Sequence, residues 1–161
     1  MAKKEKELKT NAMRLLDQAG ISYKEYYLEN AEGLSGVEVA KKNGEPVDQV
    51  FKTLVTVGKT GEHYVFVIPV DDELDLKKAA GAVGEKNIEM IKSKELLGLT
   101  GYIHGGCSPI GMKKFFKTTV DEIAQLYDSM WVSGGAVGLQ VEILPSDLEK
   151  IINLSYADLC K

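Results

Sequence analysis

Cysteine, histidine and tryptophan are scarce in this 161-residue chain, at two, two and one. The cysteines, Cys107 and Cys160, lie in unlike contexts and form no C-x-x-C pair. With only His63 and His104 besides, there is no metal-ligand cluster of recognisable spacing. Two unmatched cysteines fit a reducing cytoplasm better than a disulfide-stapled secreted domain. No apolar run approaches the about 20 residues that a membrane-spanning helix needs. The opening MAKKEKELKTNA is charged and has no apolar core of a signal peptide, so a soluble, cytoplasmic protein is expected. Also missing are a Walker A motif, H-E-x-x-H, G-x-S-x-G, and a G-x-G-x-x-G that opens a helix. No metal or cofactor is therefore expected, and catalysis would rest on positioning and electrostatics.

Positive charge is in slight deficit, 20 basic against 24 acidic residues, for a net charge of −4. That argues against broad coating of DNA, which wants a basic footprint. Local phosphate binding stays open because the bases cluster: Lys3, Lys4, Lys6 and Lys9; Lys77 and Lys78; Lys113, Lys114 and Lys117. Taken singly, each cluster reads as a solvated face.

What is present fits one domain over residues 1–161. Apolar residues make up 44% of the chain and charged residues 27%, enough to bury a core without staples. Helix signals are frequent. Ala12, Leu15, Leu16 and Ala19 share a face over 10–19, with Thr10 as cap and Gly20 as stop. Ser35 and Glu38 form a capping box before a helix that ends at Gly44. Asp75 and Gly84 bracket another helix, and a short one starts at Ser93. Two further S/T-x-x-E boxes, Thr119/Glu122 and Ser146/Glu149, predict helices after them. The clearest strands are 51–58 and 63–70, joined as a hairpin by KTGE. Weaker ones are 21–28, 87–91, 101–104, 130–133 and 137–144. Helices and strands are interspersed, which predicts one α/β domain with a mixed sheet.

Three features carry chemistry. Lys52 follows Phe51 at the mouth of a strand whose Leu54, Val55 and Val57 suit burial. It is either a cation held by rigid backbone or a rim lysine whose stem snorkels. The stretch GGCSPIG, Gly105–Gly111, has glycines that let backbone amides approach a ligand, with Pro109 fixing one end. Such a loop is either an oxyanion cradle or a tight turn. A second glycine loop, SGGAVG at 133–138, would line the same cleft. Cys107 is a poor nucleophile candidate, because His104 three residues away would point to the opposite face of a strand.

In chain order, the segments KTNAMRLL, VFKTLV, DLKKAAGAVG, TGYIHGGCSPIGMKK, WVSGGAVGLQVEI and DLEKIINLSYADL resemble the YbaK/EbsC family of aminoacyl-tRNA deacylases. That family is related to the editing domain of bacterial prolyl-tRNA synthetases. Each segment alone is modest; six in order are specific. The resemblance implies a compact α/β domain around a mixed, barrel-like sheet surrounded by helices. It also implies a cleft for the aminoacylated 3′ end of a tRNA, and hydrolysis of the ester of a wrongly attached amino acid. The expected substrate is Cys-tRNA(Pro) or another small amino acid on tRNA(Pro). The expected partners are that tRNA and prolyl-tRNA synthetase.

By this resemblance Lys52 is the family's essential lysine and 105–109 its glycine–proline loop. Catalysis is then expected from Lys52 and from backbone amides around Gly106 to Ser108. Substrate contacts are expected from Tyr27, Phe51, Gly105, Cys107, Pro109, Ser133, Gly134, Gly135 and Gln140. The attacking group is water or the thiol of a bound cysteinyl substrate. The sequence departs from cysteinyl-specific members at Gln140, where they carry aspartate, and at Leu34 or Ser35, where they carry an aromatic residue. Near the first strand's end, where they carry tyrosine, Tyr27 is the nearest match and Leu28 the ungapped one. A non-catalytic tRNA- or synthetase-binding module of the same fold is the alternative reading.

Overall fold

The computed structural model describes residues 9–161; Lys3, Lys4 and Lys6 of the first basic cluster lie outside the described residues. Helix α1 spans Asn11–Gln18, and the Thr10 side chain accepts from Met13 N at its start. Strand β1 is Lys24–Tyr27 and helix α2 is Gly36–Lys42. The predicted box forms at α2: Ser35 Oγ accepts from Glu38 N at 3.1 Å, and Glu38 Oε1 accepts from Ser35 N at 2.9 Å. A 3₁₀ turn at Val47–Gln49 leads into β2, Phe51–Gly58, which hairpins to β3, His63–Pro69. Helix α3 is Leu76–Val83, capped by Asp75 and closed by Gly84 at φ +76°. Then follow β4 (Ile88–Met90), α4 (Ser93–Thr100), β5 (Lys117–Asp121) and a 3₁₀ turn at Glu122–Leu126. The chain finishes with β6 (Met130–Ser133), β7 (Leu139–Ile143), α5 (Pro145–Ile151) and β8 (Leu154–Ala157).

Two sheets form. One has the order β4-β2-β3-β5-β8 and the other β1-β7-β6. The larger sheet is mixed: β2 pairs antiparallel with β3 and β4, while β5 lies parallel to both β3 and β8. A parallel bridge between Val50 and Trp131 joins the residue before β2 to β6 and so links the two sheets. The main core lies between them and under α1, with Met13, Leu16, Val65, Val67, Val132 and Val141 among its members. A second core packs Phe66, Ile68, Ala79 and Leu159 beneath α3. β3 contributes alternate residues to each, which is why its sequence HYVFVIP is apolar almost throughout.

Two predicted capping boxes do not form. Thr119 lies inside β5, paired with Phe66 and Ser155, and the turn after it is capped by Asp121, which accepts from Ile123 N. Ser146 lies within α5, which starts with Pro145 and has no side-chain cap; Glu149 instead accepts from Tyr156 OH. The expected strand at 101–104 is a turn, closed by Gly106 N donating to Ile103 O at 3.0 Å. β5 and β8 carried no strong sequence signal; their pairing is parallel and long-range, and each is short and partly polar.

Candidate active site

Lys52 is the second residue of β2 and pairs with Ile68 of β3, so its backbone is fixed within the hairpin. The Val50–Trp131 bridge brings this end of β2 beside β6. There Ser133, the last residue of β6, pairs with Gln140 of β7. The turn between them, 134–138, uses positive φ at Gly135 and Gly138 and is closed by Leu139 N donating to Ala136 O. Ser133 Oγ accepts from Gly135 N at 3.2 Å and holds the turn's first residues.

The 101–111 segment is stapled from behind. Gly101 ends α4 in the left-handed region. The Tyr102 hydroxyl donates to Ile110 O at 2.6 Å, and Ser108 Oγ accepts from Ile110 N at 3.2 Å. Gly106 packs directly on the other glycine loop: a Cβ there would lie 2.9 Å from Ala136 C and Val137 N. Any side chain at 106 would force the two backbones apart. The two glycine loops therefore meet, and glycine at 106 serves that contact.

A cleft of about 790 Å³ opens at this junction, within the about 300–1,000 Å³ common for small-molecule sites. Its walls come from the 31–39 segment with the start of α2, the first half of β2, the β4–α4 corner, residues 103–105 and 107, and the β6–β7 hairpin. Lys52 lines it, and among the described residues no carboxylate pairs with its ammonium. Gly105 and Cys107 are also in the lining, and their backbone amides find no acceptor among the described residues. The Gln140 Oε1 and Thr53 Oγ1 atoms are buried in the same walls without hydrogen-bond partners. The cleft wall thus carries a lysine and two residues with unspent backbone donors, with two unpartnered side-chain oxygens buried behind its surface. That set suits an ester or phosphate bearing neighbouring donors.

Cys107 is 8% exposed, and burial pushes its thiol up to about 11. A neutral, desolvated thiol is a small apolar wall and not a nucleophile. Glu38 faces the cleft but is committed to the α2 cap, where hydrogen bonds from the Ser35 backbone and side chain hold its carboxyl below the usual carboxylate range.

Of the expected site residues, Lys52, Phe51, Gly105, Cys107, Ser133 and Gln140 come together in this cleft. Gly106, Ser108 and Pro109 are buried behind the wall and absent from the lining, and Gly106 N is already bonded to Ile103 O. Gly134 and Gly135 pack against Leu139 and Tyr102 respectively. Tyr27 sits at the end of β1, 45% exposed and outside the lining. Thr53, Met90, Ser93 and Ile103 also line the cleft, and nothing in the sequence singled them out. Ordinary residues on a strand, a helix start and a turn carry no local signal of a shared cavity.

Known proteins resemble this chain in family, in sequence and in fold. The family model described as an aminoacyl-tRNA editing domain matches residues 31–151. A protein of Enterococcus faecalis named as a candidate Cys-tRNA(Pro)/Cys-tRNA(Cys) deacylase, EbsC, is 47% identical over 160 residues, 99% of this chain and 98% of its own. A crystal structure of a candidate trans-editing enzyme for prolyl-tRNA synthetase superposes with a TM-score of 0.81 at 27% identity. It covers 94% of this chain and 95% of that one. A proline–tRNA ligase of Pelobacter propionicus is 34% identical over 77 residues, 48% of this chain and 13% of the ligase.

Proposed function

We propose, on the premise that this chain belongs to the aminoacyl-tRNA editing domain family, that it hydrolyses the ester of a wrongly attached small amino acid on tRNA. Cysteine on tRNA(Pro) is the first candidate. The observation that carries this reading is the unspent chemistry of one cleft: Lys52 without a carboxylate partner, beside a loop whose Gly105 and Cys107 amides have no acceptor among the described residues. The whole chain acts as one editing unit, in the cytoplasm, on aminoacylated tRNA. The synthetase kinship of the 77-residue match supports docking beside prolyl-tRNA synthetase.

The reaction needs no borrowed electron sink, because an aminoacyl ester is already activated. Water adds to the ester carbonyl carbon, and negative charge grows on the carbonyl oxygen. The amides of Gly105 and Cys107 donate to that oxygen, and the Lys52 ammonium offsets its charge or that of the adjoining phosphate. The bond to the ribose oxygen then breaks, and that oxygen takes the proton released by the water. Free amino acid and a tRNA with its terminal hydroxyl leave. Within the Gly106–Ser108 stretch read from the sequence the Cys107 amide is kept, and Gly105 stands in for Gly106 and Ser108, which are buried and absent from the lining.

Gln140 and Ser133 offer neutral hydrogen bonding where the amino-acid side chain is expected. The 47% identity to the EbsC protein supports a cysteinyl substrate. Pockets separate side chains that differ by one methyl group only weakly, by about 10–200-fold. Alanyl and seryl esters should therefore follow cysteinyl within that range. The test is a deacylation panel on purified Cys-, Ala-, Ser- and Pro-tRNA(Pro). Turnover led by Cys-tRNA(Pro) is expected; tRNA binding with no turnover on any of the four would overturn the enzyme reading and leave a binding module.

A further inference from the structure

The proposed reaction accounts for the terminal aminoacylated nucleotide, and the surface beside the cleft points to what lies upstream of it. On α4, Ser93 and Leu96 line the cleft. Leu97 lies one turn beyond Ser93, so it occupies the same side of the helix at the cleft's edge, and it is 53% exposed. Two more large apolar side chains stand at that edge: Ile103 at 54% and Met90 at 46% exposure, both in the lining.

Cations bracket this apolar strip. Lys94, exposed, is three residues before Leu97 on the same stripe. Gly101, four residues after Leu97, is covered by Lys113: a Cβ at 101 would lie 3.2 Å from Lys113 Cγ. Lys113 is pinned there because its amide donates to Thr100 O at 3.0 Å. The acid of the helix, Glu95, is two residues from Leu97 and so turns to the other side. In a chain of net charge −4, an edge with three exposed apolar side chains, one of them flanked by two lysines, continuous with the cleft, is complementary to a flexible polyanion with flat apolar faces. Single-stranded nucleic acid has that chemistry: bases pack on apolar side chains while phosphates meet cations.

We infer that the Lys94–Leu97–Lys113 strip, with Ile103 and Met90, receives the unpaired nucleotides that precede the aminoacylated terminus. This rests on the deacylase reading of the cleft. The strip holds the strand, and the cleft does the chemistry; the two roles separate in kinetics.

The experiment compares wild type with a Lys94→Glu/Lys113→Glu pair and with Leu97→Asp, all at exposed positions where the fold tolerates change. Each is assayed on Cys-tRNA(Pro) and on a minimal substrate, cysteine esterified to adenosine. The inference predicts a raised KM on the tRNA with kcat little changed, and unchanged hydrolysis of the minimal ester. The slope of log kcat/KM against log salt on the tRNA should become shallower by about 1.4 in the lysine pair, about 0.7 for each single-strand phosphate that a lysine no longer neutralises. Equal loss on both substrates, or no loss on either, overturns it. So does normal tRNA turnover combined with lost retention on immobilised prolyl-tRNA synthetase, which would make the strip a protein dock. If wild type hydrolyses neither substrate, the deacylase reading is what fails. The strip is then judged by equilibrium binding of a CCA-ended oligonucleotide, which the lysine pair must weaken if the strip holds it.

Discussion

The two ends of α2 stand in opposite electrostatic situations. Its start helps wall the cleft, where Lys52 and the Gly105 amide are left without partners beside a cavity of about 790 Å³. Just past its end, Glu45 is 6% exposed, and both of its carboxylate oxygens, with Trp131 Nε1 and Asn43 Nδ2, find no hydrogen-bond partner among the described residues. The lesson is in access. Unspent polar groups that a ligand can reach are poised for binding, whereas unspent groups sealed from it cost stability. Burial pushes the Glu45 carboxyl up to about 7, opposed by Asn43 and reinforced by the negative charge of Glu142.

Substitutions at the two ends should therefore do opposite things. The largest effect is expected at the cleft: Lys52→Met keeps the aliphatic stem and removes the charge. It should lower kcat/KM on Cys-tRNA(Pro) by about 10²–10³-fold, the usual loss for one group that stabilises a developing oxyanion, and leave the melting temperature near that of wild type. Glu45→Gln should do the reverse, sparing turnover while raising stability by about 2 kcal/mol at pH 8. The sign follows from the raised pKa. The folded state prefers the protonated carboxyl, so its contribution is complete below about pH 4.5 and is lost as the pH climbs to about 7. Denaturant unfolding at pH 5 and pH 8 checks this, and the variant should flatten the difference between them.

Smaller effects are expected where the two glycine loops meet. Gly106→Ala drives a methyl against the Ala136–Val137 backbone and should cost about 1–3 kcal/mol, a typical figure for overpacking, seen as a lower denaturation midpoint. Cys107→Ala should be the mildest, with kcat/KM within about twofold of wild type, because burial keeps the thiol neutral and a poor nucleophile. A folded but inactive Cys107→Ala protein would restore the thiol to the mechanism.

What the sequence revealed, and what it hid, follows the range of the forces involved. Thr10, the Ser35/Glu38 box, Asp75 and Gly84 were legible because caps act within a few residues. Thr119/Glu122 shows the same pattern and still lies in a strand, because parallel pairing of β5 with β3 and β8 outweighs a local box. At the site, Lys52, Gly105, Ser133 and Gln140 were foreseen and share one cleft. The Ser108 amide was expected in the cradle, and Ser108 is fully buried and absent from the lining. Which residues of the loop line the cleft depends on long-range packing, here of Gly106 on the Ala136–Val137 backbone. Thr53 and the α4 edge had no signal at all, since their role comes from walls assembled across long sequence separations.

The role of Lys52 is most directly measured by single-turnover hydrolysis of Cys-tRNA(Pro), with protein in excess, by wild type and Lys52→Met side by side. Wild type should release cysteine well above the spontaneous rate, and the variant should be slower by at least about a hundredfold. A Lys52→Met protein that releases cysteine as fast as wild type would remove this lysine from the reaction and leave the cleft without its proposed charge.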